Sequence, residues 1–330
     1  MQSLKLIDQY DRNLNYLRIS ITDRCNLACL YCVPADLIPK LAHRDILTYE
    51  EILRLVRIGI RLGISKVRVT GGEPLIRKGV YDFLAELSAT PGLSDVSLTT
   101  NGVFLRDNID KIRSAGIRRI NVSLDTLKRE KFKMITGLDK FPQVWEGIIQ
   151  AHKAGFHPIK LNVVALGGIN EDEFVDFGKL SLSHPFHVRF IEFMPIGKPR
   201  QNLERLVLVP EIKERLRQIG KLIPIENTKN DGPAERYKFE GADGEVGFIS
   251  ALSHHFCKKC NRLRLTASGH LRACLLSDRQ IDAKGPMRTG LKDSELADLF
   301  LKAVKSKPFE HEIGVHKPDR IAGQMCAIGG

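Results

Sequence analysis

Six short β-branched runs alternating with longer amphipathic stretches do most to fix what this chain can fold into. The runs are LRISIT (17–22), KVRVT (66–70), DVSLTT (95–100), RRINVSLD (118–125), IKLNVVAL (159–166) and HVRFIEFM (187–194). Helical patterns lie between them at YEEILRLVRIGIRLG (49–63), KGVYDFLAELSA, NIDKIRSAG, VWEGIIQAHKAG and EDEFVDFGKLSL. Thr48 and Glu51 form a capping box ahead of the first of these. Gly63, Gly116 and Gly155 stand where glycines end helices. Strands that alternate with helices call for parallel βαβ units, so the chain is α/β, either doubly wound or an incomplete (β/α) barrel. Polar residues favour the barrel. Thr70-Gly71-Gly72-Glu73-Pro74, Thr99-Thr100-Asn101-Gly102, Ser123 with Asp125, and Met194-Pro195 all fall at strand C-terminal ends, where such barrels place their chemistry.

After about residue 225 the pattern changes. ENTKNDGPAERYKF reads as loop, EVGFIS as a strand, RLRLT-ASG-HLRACL as a hairpin, and 293–306 as a helix before a tail ending in Gly329-Gly330. The expected organisation is a barrel over 1–225 and a smaller C-terminal domain over 226–330. With 330 residues, 43% of them apolar, the chain can bury a sizeable core. No apolar leader and no uninterrupted run of about 18 apolar residues is present, which points to a cytoplasmic protein with no membrane partner. The formal charge of +12 should attract anions. Nucleic acid and a nucleotide or other polyphosphate both qualify, and the competing reading is that much of the charge is simply solvated surface. No run of five or six basic residues supports a nucleic-acid tail.

Six of the seven cysteines fall in two tight triplets, which look like ligands kept reduced rather than disulfides. Cys25, Cys29 and Cys32 follow the first strand on a C-x3-C-x2-C spacing. Three thiolates leave one iron of a 4Fe–4S cubane open, where a small molecule can chelate. The sharp reading is a cluster whose open iron binds S-adenosylmethionine; the bland ones are a zinc completed by a distant histidine, or core cysteines. Tyr31 precedes the last cysteine, and the Gly71-Gly72-Glu73-Pro74 turn would let backbone approach the methionyl amine and carboxylate. Cys257, Cys260 and Cys274 recur on C-x2-C-x13-C. Here a Cys3His zinc site with His254, His255 or His270 and a second cluster with an open iron for a substrate both remain open.

Residues 18–32 and 68–74 resemble the radical S-adenosylmethionine superfamily, which implies an incomplete (β/α)6 TIM-like barrel. The two triplets together with GGEP, LTTNG, NVSLD, CNRLRLT and a terminal Gly-Gly resemble the GTP 3′,8-cyclase family of molybdenum cofactor biosynthesis, from about residue 12 to 330. That resemblance implies a lyase that converts GTP to a 3′,8-cyclised dihydro-GTP: a 5′-deoxyadenosyl radical takes the ribose C3′ hydrogen, and the C3′ radical attacks guanine C8. It implies two 4Fe–4S clusters, one on Cys25, Cys29 and Cys32 and one on Cys257, Cys260 and Cys274 in the C-terminal domain, with S-adenosylmethionine on the first.

Carried over residue by residue, Tyr31, Gly72, Ser123 and Met194 are expected at the sulfonium cofactor. Arg18, Arg68, Thr99, Lys160 and the segment Arg262, Leu263, Arg264 are expected at GTP, with Lys66 and Arg189 added from strands aimed at the same rim. Planar guanidinium groups bind phosphate in a bidentate way. Arg68 lies opposite Val67 and Val69, and Lys160 opens an apolar strand. Gly329 and Gly330 are expected to thread toward the active site; Cys326 receives no role, and Asp125 stays outside the site. The partners implied are GTP, an external one-electron reductant and cyclic pyranopterin monophosphate synthase as recipient of the product, with no nucleic acid and with a homodimer allowed. The competing readings are a tRNA- or peptide-modifying radical enzyme and a zinc-stabilised nucleic-acid-binding protein.

Overall fold

The computed structural model describes residues 5–32, 40–197, 206–227, 232–311, 313, 321 and 324–329. Its strands are β1 (Tyr16–Ser20), β2 (Lys66–Thr70), β3 (Asp95–Thr100), β4 (Ile120–Ser123), β5 (Ile159–Ala165) and β6 (Phe186–Glu192). Six more follow: β7 (Ile223–Ile225), β8 (Glu235–Lys238), β9 (Glu245–Ile249), β10 (Arg262–Leu265), β11 (His270–Arg272) and β12 (Ile281–Asp282). All join one sheet in the order β12-β11-β10-β1-β2-β3-β4-β5-β6-β9-β8-β7.

The six expected runs therefore form a continuous parallel sheet in chain order, with β12 and β7 at its open ends. This is the incomplete (β/α)6 barrel, extended on both sides. β10 pairs with β1 in parallel, and β9 pairs with β6 in parallel. The expected division at residue 225 thus separates chain segments rather than sheets, because strands from beyond it hydrogen-bond to both edges of the barrel.

Alternation explains why the sheet has one register. Leu265, Ile19, Val69, Leu98, Ile120, Ile159 and Phe186 oppose one another in a row across seven strands, and all are buried. One residue earlier on the first of these strands, a second row reads Arg264, Arg18, Arg68, Ser97 on the opposite face. A slip of one residue would drive those cations into the apolar layer, so the pairing is strongly specified.

The helices cover the apolar face. In Tyr49–Arg61 the Thr48 hydroxyl accepts from the Glu51 N–H at 3.2 Å, and the Glu51 carboxylate accepts from the Thr48 N–H at 2.8 Å. Ile52, Leu55, Val56 and Gly59 then line one stripe and are buried. The chain leaves this helix through Gly63 at φ 96°, as its position in the sequence suggested.

Sequence reading missed several elements. Glu235–Lys238, inside the stretch read as loop, is β8; it forms because β9 offers it an antiparallel edge. The helix Arg129–Thr136 is short and charged, and among its side chains Phe132, Ile135 and Thr136 are buried. Val209–Leu216 and Lys284–Arg288 are further helices too short to show a strong period. Among the described residues no helix is long and apolar enough to cross a membrane.

Phe190 on β6 is fully buried, edge-on to Phe174 at 5.4 Å and stacked on Phe248 at 6.0 Å. Phe190→Ala should cost about 3–5 kcal/mol of stability, read as a lower midpoint in denaturant unfolding; an unchanged midpoint would mean this layer does not carry the fold.

Candidate active site

Strand order brings the two cysteine triplets to opposite ends of one cavity. Cys25, Cys29 and Cys32 lie on the loop that leaves β1, and Cys257, Cys260 and Cys274 flank β10 and β11. All six line a single cavity, the first triplet at the C-terminal ends of the strands and the second at their N-terminal ends, where Arg262 stands opposite Tyr16. All seven cysteines are free thiols.

The first loop is held by the motifs that face it. Gly72 N–H donates to the Thr22 carbonyl at 2.6 Å and Glu73 N–H to the Arg24 carbonyl at 2.8 Å. A Cβ on Gly72 would meet Arg24 O at 2.2 Å, and one on Gly71 would meet Thr22 O at 2.8 Å. The glycines are thus required by the backbone of the cysteine loop itself, a tighter reason than the cofactor approach inferred from sequence. Asn101 Nδ2 donates to Cys25 Sγ at 3.6 Å, which gives the LTTNG segment a specific task.

Of the expected cofactor residues, Tyr31, Gly72, Ser123 and Met194 all line the cavity. Tyr31 donates to Asp125 Oδ2 at 2.7 Å, and Asp125 Oδ1 accepts from the Val164 N–H at 2.9 Å. Asp125, left out of the sequence assignment, is therefore the buried anchor of the Tyr31 ring; its place at a strand end was the only signal. Burial pushes its carboxyl up to about 6 against these donors.

Of the residues expected at GTP, Arg18, Arg68, Thr99, Arg189, Arg262 and Arg264 line the cavity. Burial pulls Arg18 down to about 9 and holds Arg264 well below the usual guanidinium range. Three expected GTP contacts are not on the wall. Lys66 and Lys160 are buried one layer lower, two residues before Arg68 and Asn162 on their strands. Lys66 pairs with Asp95 at 3.2 Å and lies 5.0 Å from the Tyr16 ring centre. Leu263 points into the apolar core, since it alternates with Arg262 and Arg264. Period two decides the case of Leu263.

The tail reaches the site. The Gly329 carbonyl accepts from Arg264 Nη1. A Cβ there would come 2.7 Å from Thr70 Cγ2, and φ is 81°, so only glycine fits. Gly330 lies outside the described residues. Cys326, given no role from sequence, is buried on the cavity wall. Its sulfur hydrogen-bonds Cys32, which together with burial holds the Cys32 thiol up.

The second triplet is electrostatically distinct. Burial works against the Cys260 thiolate, but Arg262 and Lys307 outweigh it and bring the thiol down to about 6. Ligand atoms of His255, Cys257 and His311 lie within 4.8 Å of one another. Neither His254 nor His270, both considered for a zinc site, lines the cavity; His270 Nδ1 bonds Ser268 Oγ at 3.0 Å.

The donor set fits the groups expected. Each triplet supplies three thiols, one fewer than a cubane's four irons require. Among the described residues the Tyr16 hydroxyl and Thr99 Oγ1 are buried on this wall without a hydrogen-bond partner. Among the described lining residues, five arginines against the one carboxylate of Asp125 make the cavity a receptor for a polar anion. A parallel α/β barrel with a three-thiol loop after its first strand defines a radical S-adenosylmethionine protein.

Comparison with known proteins agrees. Residues 19–180 match the Radical SAM superfamily model and 186–313 match Molybdenum Cofactor Synthesis C. The chain is 49% identical over 325 residues to the GTP 3′,8-cyclase of Moorella thermoacetica, covering 98% of this chain and 99% of that protein. It is 46% identical over 310 residues to that of Heliobacterium modesticaldum, covering 93% and 95%. Among solved structures, SuiB of Streptococcus suis bound to S-adenosylmethionine shares the fold at TM-score 0.59 and 13% identity, over 90% of this chain and 69% of that one. Native anSMEcpe with bound AdoMet does so at 0.57 and 15%, over 90% and 82%. The chain belongs to the GTP 3′,8-cyclase family of the radical S-adenosylmethionine superfamily. The cofactors that go with this membership are S-adenosylmethionine and two 4Fe–4S clusters.

Glu73 is fully buried and accepts from Leu75 N–H at 3.0 Å, Thr100 Oγ1 at 2.9 Å and Asn101 N–H at 2.7 Å. Burial nevertheless pushes its carboxyl from 4.5 up to about 7. Between these values the folded protein holds a proton that the unfolded chain has released, so stability falls as pH rises through the window and levels off above it. Glu73→Gln should flatten that part of the pH–stability curve of the ligand-free protein. A curve of unchanged slope would show that Glu73 is already ionised throughout.

Proposed function

We propose that this chain is a radical GTP 3′,8-cyclase that performs the first step of molybdenum cofactor biosynthesis, with Cys25, Cys29 and Cys32 holding one cluster and Cys257, Cys260 and Cys274 the other. The observation that carries this reading is the meeting of both triplets and five arginines in one cavity. When bound, the first cluster and S-adenosylmethionine supply the radical that removes the C3′ hydrogen of the ribose.

The chain's own residues bind and orient. Tyr31, Gly72, Ser123 and Met194 frame the cofactor, with Tyr31 fixed by Asp125. Arg18, Arg68, Arg189, Arg262 and Arg264 converge from β1, β2, β6 and β10 on the triphosphate and base, so the substrate is gripped from several strands at once. Thr99 and Tyr16 offer buried hydroxyls. Lys66 and Lys160 act from beneath as fixed positive charges rather than as contacts. Gly329 closes the cavity between Ser20, Thr70 and Arg264.

An external one-electron reductant and delivery of the product to cyclic pyranopterin monophosphate synthase complete this reading. Seven free thiols support a cytoplasmic location. A tRNA- or peptide-modifying activity is less well supported, because the five arginines beside the two triplets line an inner cavity rather than an outer surface.

Protein carrying both clusters, given GTP, S-adenosylmethionine and a strong reductant, should yield 5′-deoxyadenosine and a cyclised GTP product together. GTP deuterated at C3′ should pass its label to 5′-deoxyadenosine. Cofactor cleavage with no GTP-derived cyclic product would sink the assignment. Arg189→Ala should raise KM for GTP about ten- to a hundredfold, as expected for one lost charge-assisted bond, without changing iron content; an unaltered KM would remove Arg189 from the substrate.

A further inference from the structure

Two buried cations outside the cysteine motifs hold the backbone that carries the second triplet. Lys307 is 2% exposed and follows the helix Asp293–Lys305. Its ammonium donates to the Arg262 carbonyl at 3.0 Å and to the Ala273 carbonyl at 2.5 Å. Ala273 immediately precedes Cys274, and Arg262 lies two residues after Cys260. Arg12, near the other end of the chain, donates from Nη1 to the Cys257 carbonyl at 2.8 Å and the Phe309 carbonyl at 2.9 Å, and from Nη2 to the Pro308 carbonyl at 2.7 Å. All three ligand segments are thereby fixed from outside.

The two cations differ in one respect. Asp8 neutralises Arg12 at 2.6 Å. Lys307 pairs with no carboxylate among the described residues, and the opposite charges that act on it are the thiolates of Cys260 and Cys274. A buried ammonium without a carboxylate is costly unless other groups offset its lost hydration. Here two carbonyls and the thiolates do so.

We propose that Lys307 is a positioning residue for the second triplet and that its buried positive charge raises the reduction potential of the cluster held there. The inference rests on the assignment of that cluster to Cys257, Cys260 and Cys274. Adding an electron beside a fixed cation in a low-dielectric site is favoured, and cluster potentials follow local charge and hydrogen bonding.

The test is an EPR-monitored redox titration of protein carrying both clusters, with S-adenosylmethionine added to mark the first cluster's signal. Lys307→Gln keeps N–H donors for the carbonyls but removes the charge. The second cluster should remain and titrate at a lower potential, with the first unmoved, and Lys307→Arg should restore it. An unchanged potential in Lys307→Gln overturns the proposal. If Lys307→Gln loses the second cluster, Lys307→Arg decides: a retained cluster at the native potential supports the role of the charge, and loss there too overturns it. A separate Cys260→Ala variant that keeps its full iron content would instead overturn the ligand assignment.

Discussion

Parallel pairing of β10 with β1 is the constraint on which the rest depends. It sets Leu263 against Leu17 and Arg264 against Arg18, so the apolar and cationic faces of the barrel run on without interruption into the C-terminal part of the chain. It also places the segment bearing Cys257 and Cys260 directly before a strand beside the one that leads into Cys25. Two thiol sets separated by more than two hundred residues thus face one cavity from opposite ends of the strands. Without that pairing the chain would hold two sites, and no single substrate could touch both.

The cavity is a charged interior built before any ligand arrives. Arg18 and Arg264 are held in an environment that disfavours their charge, and Tyr16 and Thr99 carry hydroxyls that the protein itself leaves unsatisfied. Such groups lower folding stability and raise affinity for a polyanion that completes them. The apolar layer of seven opposed strand residues and the helices over it offset that cost. Stability is therefore concentrated on the outer face of the sheet, and binding on the inner.

The two cysteine sets differ in their electrostatics. Burial pushes the Cys25 thiol up to about 11, and no guanidinium or ammonium acts on it among the principal influences. Cys260 stands beside Arg262 and Lys307, which pull it the other way. A first site poor in cations and a second rich in them present different charge environments to chemically similar centres. The tail bridges the two, with Cys326 against the first set and Gly329 against an arginine from the strand between the second set's ligands.

Much of this was legible in the primary sequence. Strands β2 and β3 fall where their β-branched runs do, the capping box at Thr48 forms, and the six cysteines, the four residues expected at the cofactor and six of the nine expected at GTP line the cavity. These are local signals, or motif positions whose spacing survives folding. Leu263 did not reach the wall because it takes the other face of the pleat, and Lys66 did not because Asp95, on the neighbouring strand, pairs with it. β8 was read as loop since its only reason to extend is the edge that β9 presents. Asp125, Cys326, Arg12 and Lys307 act through contacts spanning tens to hundreds of residues, which no local pattern encodes. The sequence by itself determined which chemical groups are present and the periods that sort them into faces. Only the tertiary structure decided which groups meet, because meeting depends on strand order and on burial that no single segment can achieve alone.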